Sequence, residues 1–315
     1  MENKYLNMLD AETLAFVQQT EAFYPADAVE ASIEQQREFY DALCNEFQTD
    51  YPDAVSSSDD IISTEGAAIP VRRYQKSDAM SAAQIVFFHG GGFVVGGLES
   101  HDSICAEFCD RTGMDLVAVD YCLAPEHIHP AAFNDCLHAY RSIVRASDRP
   151  TILVGDSAGG TLAAAVAHSV KHDPEAAVGQ LLIYPALGGD LQKGSYITHA
   201  NAPMLTLADV AFYTEIRGGG TNLSKDPTAS PLAASEFENL PPTVIVTAEC
   251  DPLADDGSDY MNALTSAGCK AHWRNETGMV HGYLRARGGV ERARDSVSFM
   301  VRCLIMLANG NWDFQ

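Results

Sequence analysis

A strand, a sharp turn and a helix are predicted by one continuous stretch near the middle of the chain, residues 152–166. It begins as a short apolar run and continues from Ala158 as an alanine-rich segment of helical character. Gly155 and Gly159 flank Ser157 in a G-x-S-x-G pattern, and two missing β-carbons allow a turn tight enough to expose the serine hydroxyl. The helix would direct free N–H groups and its positive dipole end at that hydroxyl. This stretch alone fits either a nucleophilic serine or a glycine-rich turn with a capping serine.

A second glycine-rich turn follows another predicted buried strand, residues 84–88, which runs directly into His89 and three consecutive glycines. Glycine loses more chain entropy on folding than other residues, so three consecutive glycines at the end of a strand suggest a structural or functional requirement for them. Close approach of the backbone to a ligand is one, with the N–H groups of Gly91, Gly92 and Ala158 donating to an oxyanion. A flexible turn is the alternative.

Strands and helices alternate along most of the chain, which predicts a mainly parallel sheet covered by helices. The predicted strands are residues 61–63, 69–74, 84–88, 116–119, 151–154, 181–184, 243–247 and 270–274. The predicted helices are two within 10–48, separated by Pro25, and one each at 131–147, 158–172 and 254–267. Polar residues 50–60 are expected to form a linker.

The alternation fails between residues 188 and 222, where no strand is predicted and an insertion is expected. This insertion could join the amino-terminal helices, residues 1–50, as a cap over the sheet, although those helices could equally form an ordinary outer layer. The core is then expected to comprise residues 51–187 and 223–315.

Composition narrows the classes of partner. The 315 residues include 43 acidic and 20 basic side chains, for a net charge of −23. Such a surface repels phosphates, so neither nucleic acid nor an anionic membrane is expected as a partner. Eight scattered cysteines lack the spacing of a zinc or redox site, and the amino terminus lacks a secretion-signal pattern, so we expect a cytoplasmic protein with no metal. No phosphate-binding motif is present, and no cofactor is expected.

Two further residues follow predicted strands. Asp251 lies just beyond residues 243–247, and His281 lies in a loop after the last strand. Carboxyl ends of parallel strands share one edge of the sheet, so both side chains are expected near Ser157. Helix capping ahead of Pro252 is the alternative for Asp251. Asp255 and Asp256 are rival acids that we expect to lie on the following helix.

Five motifs in this order resemble those of the hormone-sensitive-lipase-like branch of the α/β-hydrolases, the bacterial family IV esterases, and particularly the acetyl-esterase-like members. They are His89-Gly90-Gly91-Gly92, Asp120-Tyr121-Cys122-Leu123-Ala124-Pro125-Glu126-His127, Gly155-Asp156-Ser157-Ala158-Gly159-Gly160, Asp251-Pro252-Leu253-Ala254-Asp255-Asp256-Gly257 and His281-Gly282. Two departures stand out: Cys122 replaces the usual arginine, and Ile128-His129 replaces a more common aromatic or proline pairing.

The resemblance implies an eight-stranded, mainly parallel sheet flanked by helices, with a helical cap. It also implies hydrolysis of small short-chain acyl esters without a cofactor. Ser157 would be the nucleophile, His281 the base and Asp251 its orienting acid, with Gly91, Gly92 and Ala158 as the oxyanion hole. An amidase or peptidase, or a non-catalytic ligand receptor on the same fold, is the alternative function. Assembly into a homodimer is left open.

Overall fold

A single eight-stranded sheet organises the molecule. The computed structural model describes residues 3–25, 31–64, 67–77 and 83–314. The strands are β1 (Val55–Thr64), β2 (Ala67–Lys76), β3 (Gln84–Phe88), β4 (Asp115–Val119), β5 (Thr151–Asp156), β6 (Gly179–Ile183), β7 (Thr243–Cys250) and β8 (Ala271–Val280). Their order across the sheet is β1-β2-β4-β3-β5-β6-β7-β8. The pairs β1–β2 and β2–β4 are antiparallel and the remaining pairs are parallel, so the predicted mainly parallel sheet is confirmed.

Helices cover both faces of this sheet. They are α1 (Asn3–Met8), α2 (Ala11–Glu21), α3 (Ile33–Glu46), α4 (Asp102–Thr112), α5 (Ala131–Arg145), α6 (Ala158–Val170), α7 (Gly194–Thr198), α8 (Leu207–Gly218), α9 (Ala254–Ser266) and α10 (Glu291–Ala308). Side chains of α4 and α10 share one apolar core, and those of α5, α6 and α9 share the other. Strands β3 and β5 are buried along their whole length because both of their faces lie between these layers.

Helices α4 and α10 were not indicated by the sequence pattern. The buried face of α4 consists largely of small residues, among them Ser103, Cys105 and Cys109. A helix is recognised in a sequence by large apolar residues at helical spacing, and a buried face of small residues has few of them.

The predicted linker at residues 50–60 was wrong over most of its length, since β1 already begins at Val55. This strand lies at the edge of the sheet, and its side chains from Ser56 to Ile61 are exposed. Its polar residues pair with the neighbouring strand: Arg72 lies 2.7 Å from Asp59, and Arg73 lies 3.0 Å from Asp60. An exposed edge strand needs no apolar side chains on its outer face, which is why its composition resembled a linker.

The structure has no strand within residues 188–222, as the sequence pattern predicted, and this segment forms α7 and α8. The two helices predicted within residues 10–48 correspond to α2 and α3. Residues 1–2 and 26–30 of the expected cap segment lie outside the described residues. Among the helices that are described, none is both long and apolar enough to cross a membrane.

Candidate active site

Ser157 occupies the turn between β5 and α6, at the carboxyl edge of the sheet. Its backbone has φ 53° and ψ −118°, a conformation that side-chain-bearing residues seldom adopt. Its N–H donates to the carbonyl oxygen of Ile183 on the neighbouring strand at 2.8 Å. The turn depends on its glycines: a β-carbon on Gly155 would lie 2.3 Å from the Gly159 oxygen, and one on Gly159 would lie 1.9 Å from the Phe88 oxygen. The strained turn is therefore held by close packing of main chains that only glycine permits.

A continuous hydrogen-bond chain joins three side chains from separate parts of the sequence. His281 Nε2 lies 2.9 Å from the Ser157 hydroxyl oxygen, and His281 Nδ1 lies 2.7 Å from Asp251 Oδ2. Asp251 directly follows β7 and His281 directly follows β8, so parallel strands bring both to the same edge. Asp251 is fully buried, and its carboxylate can orient the imidazole and stabilise it when protonated.

Helix capping, the alternative for Asp251, is wrong, because the N-cap residue of α9 is Leu253 and the helix has no side-chain capping hydrogen bond. Asp251 Oδ1 accepts the backbone N–H of Leu253 at 2.9 Å while Oδ2 faces His281. This second bond fixes the plane of the carboxylate. One carboxylate therefore holds the turn ahead of α9 with one oxygen and contacts the imidazole with the other.

The two rival acids lie on α9, as expected, and face another part of the molecule. Asp255 accepts the backbone N–H of Ser195 at 2.8 Å. Asp256 accepts the N–H of Leu187 at 2.7 Å and the hydroxyl of Tyr196 at 3.1 Å. Burial raises the pKa of Asp256 to about 7. Both carboxylates thus attach the segment that begins near residue 187 to the core, a role that sequence spacing did not indicate.

Three main-chain N–H groups surround the serine. Gly91 and Gly92 have φ values of 129° and 61°, which favour glycine. Among the described residues, the N–H groups of Gly91, Gly92 and Ala158 have no hydrogen-bond acceptor. Each of these residues also lines a cavity that reaches Ser157. Unpaired donors of this kind are suited to binding an oxyanion.

Asp156 was missed as a site residue by sequence reasoning, although it lies within the serine motif. It is buried, accepts the N–H of Gly90 at 2.8 Å, and lies 3.1 Å from Nε2 of His101. Burial alone would raise its pKa, but the His101 and Gly90 contacts lower it to about 2. The carboxylate therefore links the glycine loop to the strand that carries Ser157. Its position next to the serine was the only available signal.

Two cavities meet at Ser157. The larger, about 410 Å³, is lined by His281, Gly91 and residues of α2 and α3, including Thr20 and Tyr40. The smaller, about 230 Å³, is lined by Ala158 and by residues from the 188–222 segment. Ser157, Gly92, Leu205 and Tyr213 line both. The 188–222 segment thus lines both cavities, and the amino-terminal helices line the larger one.

Comparison with known proteins decides the family. A family model described as alpha/beta hydrolase fold matches residues 85–285. The chain belongs to this family. It lies in the hormone-sensitive-lipase-like branch that the motifs indicated, and it is a carboxylic ester hydrolase.

Similar proteins cover from about three quarters to nearly all of the chain. An ethyl acetate hydrolase of Pseudomonas putida is 30% identical over 94% of this chain and 98% of its own length. The esterase LipI of Mycobacterium tuberculosis is 36% identical over 74% of this chain and 75% of its own. A solved structure of an esterase from Pyrobaculum calidifontis superposes with a TM-score of 0.87 at 30% identity, covering 95% of this chain and 99% of that one. The predicted fold class and enzyme class are therefore confirmed.

Proposed function

We propose that this esterase hydrolyses short-chain acyl esters through a covalent acyl-enzyme formed on Ser157. The observation that carries the proposal is the hydrogen-bond chain from Ser157 through His281 to Asp251. A serine hydroxyl is too weak an acid to attack an ester unaided, so an adjacent base is required. His281 Nε2 is within hydrogen-bond distance of the hydroxyl and meets that requirement.

The reaction follows from this geometry in two halves. His281 takes the Ser157 proton as the serine oxygen attacks the ester carbonyl, and then returns that proton to the departing alcohol. Water repeats the sequence on the acyl-enzyme and releases the acid. In both tetrahedral intermediates the oxyanion would be bound by the N–H groups of Gly91, Gly92 and Ala158, and one such donor contributes about a hundredfold or more in rate.

The cavities support an assignment of the two halves of the ester. His281 must reach the leaving oxygen, and it lines the larger cavity and not the smaller one. We therefore place the alcohol part in the larger cavity and the acyl part in the smaller. A volume of about 230 Å³, partly enclosed by Leu205, Val210 and Leu253, supports a short acyl chain. Residues 1–50 and 188–222 act in this proposal as two parts of one cap over the site.

Replacing the nucleophile tests the mechanism. Ser157→Ala should abolish hydrolysis of p-nitrophenyl butyrate while leaving the circular dichroism spectrum unchanged, because only one oxygen is lost. An organophosphate should label the wild type on the peptide containing Ser157, as located by mass spectrometry, and should not label the variant. Retained turnover, or labelling elsewhere, would contradict the assignment. In a series of p-nitrophenyl esters, a maximum at decanoate or longer would exclude the short-chain preference.

A further inference from the structure

A buried arginine lies in the wall of the smaller cavity. Arg217, in the last turn of α8, is only 8% exposed. Its guanidinium carbon lies 3.6 Å from the centre of the Phe93 ring, and Phe93 directly follows Gly92 of the glycine loop. Arg217 and Ser157 line the same cavity. The guanidinium of Arg217 is thus in contact with the residue that follows Gly92, whose N–H is one of the candidate oxyanion donors.

The positive charge of Arg217 has little compensation from the described residues. Of the five N–H donors of its guanidinium, one on Nη1 donates to the Ala229 carbonyl at 3.1 Å. Nη2 lies 3.5 Å from Nδ1 of His129, at the limit of a hydrogen bond. No carboxylate of the described residues forms an ion pair with it. Burial lowers the pKa of Arg217 to about 10, which still leaves it protonated at neutral pH.

Asp226, the acid whose charge acts on Arg217, has other hydrogen-bond partners. Asp226 accepts the hydroxyl of Thr228 at 2.6 Å and its N–H at 2.9 Å, and it lies 3.1 Å from Nε2 of His129. His129 thus lies between this carboxylate and Arg217. Burial, together with the cation beside it, lowers the pKa of His129, so the ring adds no positive charge there at neutral pH. His129 is one of the positions at which the chain departs from its family's motif, and here it belongs to this polar cluster.

Polar residues accompany Arg217 in this part of the cavity. Thr214, Asn222 and Ser224 line the same space. A cavity intended only for an alkyl chain would gain nothing from a buried cation, because removing a charge from water without a partner is unfavourable. A planar guanidinium with free N–H groups matches a carboxylate, which it can bind through two parallel hydrogen bonds.

We propose that the smaller cavity accepts acyl groups that end in a carboxylate, so that half-esters of short dicarboxylic acids are substrates, with Arg217 binding the free carboxylate. This inference rests on the proposed function, in which the acyl part occupies that cavity. The reaction is the same ester hydrolysis: water is consumed, and a dicarboxylic acid and an alcohol are released.

Two ethyl esters that differ only in the acyl group test the proposal. Both have the same small alcohol part, so a difference between them does not arise in the larger cavity. Hydrolysis of monoethyl succinate and of ethyl butyrate would be followed by ethanol release with wild type, Arg217→Met and Arg217→Lys. The methionine variant should lose about tenfold or more in kcat/KM for monoethyl succinate, mainly through KM, because a charged hydrogen-bond pair is lost. The ratio of kcat/KM for monoethyl succinate to that for ethyl butyrate should therefore fall by about tenfold, and the lysine variant should recover part of that loss.

A second measurement needs no variant. Succinate should inhibit wild-type hydrolysis of ethyl butyrate about tenfold more strongly than butyrate does, because its second carboxylate would bind the guanidinium of Arg217. Equal or weaker inhibition by succinate, or a parallel loss of both activities in Arg217→Met, would overturn the inference. Absence of ethyl butyrate hydrolysis in the wild type would instead refute the proposed function, so the two failures are distinguishable.

Discussion

Asp251 and Asp255 show how two carboxylates four positions apart serve different purposes. Asp251, at the end of a parallel strand, faces the imidazole of His281. Asp255 lies four residues later, on α9, and accepts the backbone N–H of Ser195, so it supports the 188–222 segment. The residue type is the same, and the element that carries it decides its partner.

This difference predicts contrasting effects of the same substitution. Asp251→Asn should lower kcat by about 10³- to 10⁴-fold, because the amide favours the wrong tautomer of His281 and cannot stabilise its cation. Asp255→Asn, the matched control, should stay within about tenfold of wild type because its carboxylate does not contact the triad. Both would be measured with p-nitrophenyl butyrate. Equal losses in the two variants would refute Asp251 as the orienting acid.

At the scale of elements, α8 contributes side chains to both cavities. Tyr213 lines each of them, and its ring packs directly on the glycine loop: a β-carbon on Gly92 would lie 2.5 Å from Tyr213 Cδ1. One helix of the insertion therefore forms the partition above the serine and also carries Arg217. The position of α8 determines how the space around Ser157 is divided.

Removing this partition should broaden the accepted acyl length. Tyr213→Ala would join the two cavities, so the ratio of p-nitrophenyl octanoate to p-nitrophenyl butyrate turnover should rise by about tenfold, the order expected for a few methylenes. Phe212→Ala is the control, because Phe212 is adjacent, exposed and lines neither cavity at Ser157. A similar change in both variants would show that loosening of α8, rather than loss of the partition, is responsible.

For the whole molecule, the buried His89 and the partly buried His168 make folding sensitive to acid. Burial lowers the pKa of His168, on α6, to about 4, and the pKa of His89 is lowered to about 4 for the same reason. In the unfolded chain histidine has a pKa of about 6.5. Between these values the unfolded chain binds protons that the folded protein does not. The contribution of each histidine to stability is thus present above pH 6.5 and is lost as the pH falls toward 4.

His168→Phe should therefore reduce the loss of folding stability that occurs on acidification. Its ring packs edge-on against Phe237 and Tyr260, and its Nε2 is buried without a partner among the described residues, so phenylalanine fits the site. Urea unfolding at pH 7 and pH 5 should give a loss of unfolding free energy smaller by about 1 kcal/mol than in the wild type. His138→Asn, on the exposed side of α5, should follow the wild type. An unchanged pH dependence in His168→Phe would contradict the burial argument.

Much of the site could be predicted from the sequence because its decisive features are local. Gly155, Ser157 and Gly159 specify a turn through steric limits on adjacent residues, and the apolar runs of the central strands reveal their burial. Strand order then places Asp251 and His281 at the edge that carries the serine, since parallel strands end together. The edge strand β1 and the small-residue helix α4 were not predicted, because neither carries the apolar pattern that burial imposes.

The sequence by itself determined the fold class, the strand–turn–helix around Ser157 and the candidate triad. Each depends on short-range backbone geometry or on the alternation of strands and helices. Only the tertiary structure decided that Asp255 and Asp256 hold the segment that begins near residue 187, and that Arg217 lies in a cavity with Ser157. Those contacts join residues far apart in the chain. They form because a buried polar group needs a hydrogen-bond partner, and the packing of the folded chain determines which partner is close enough.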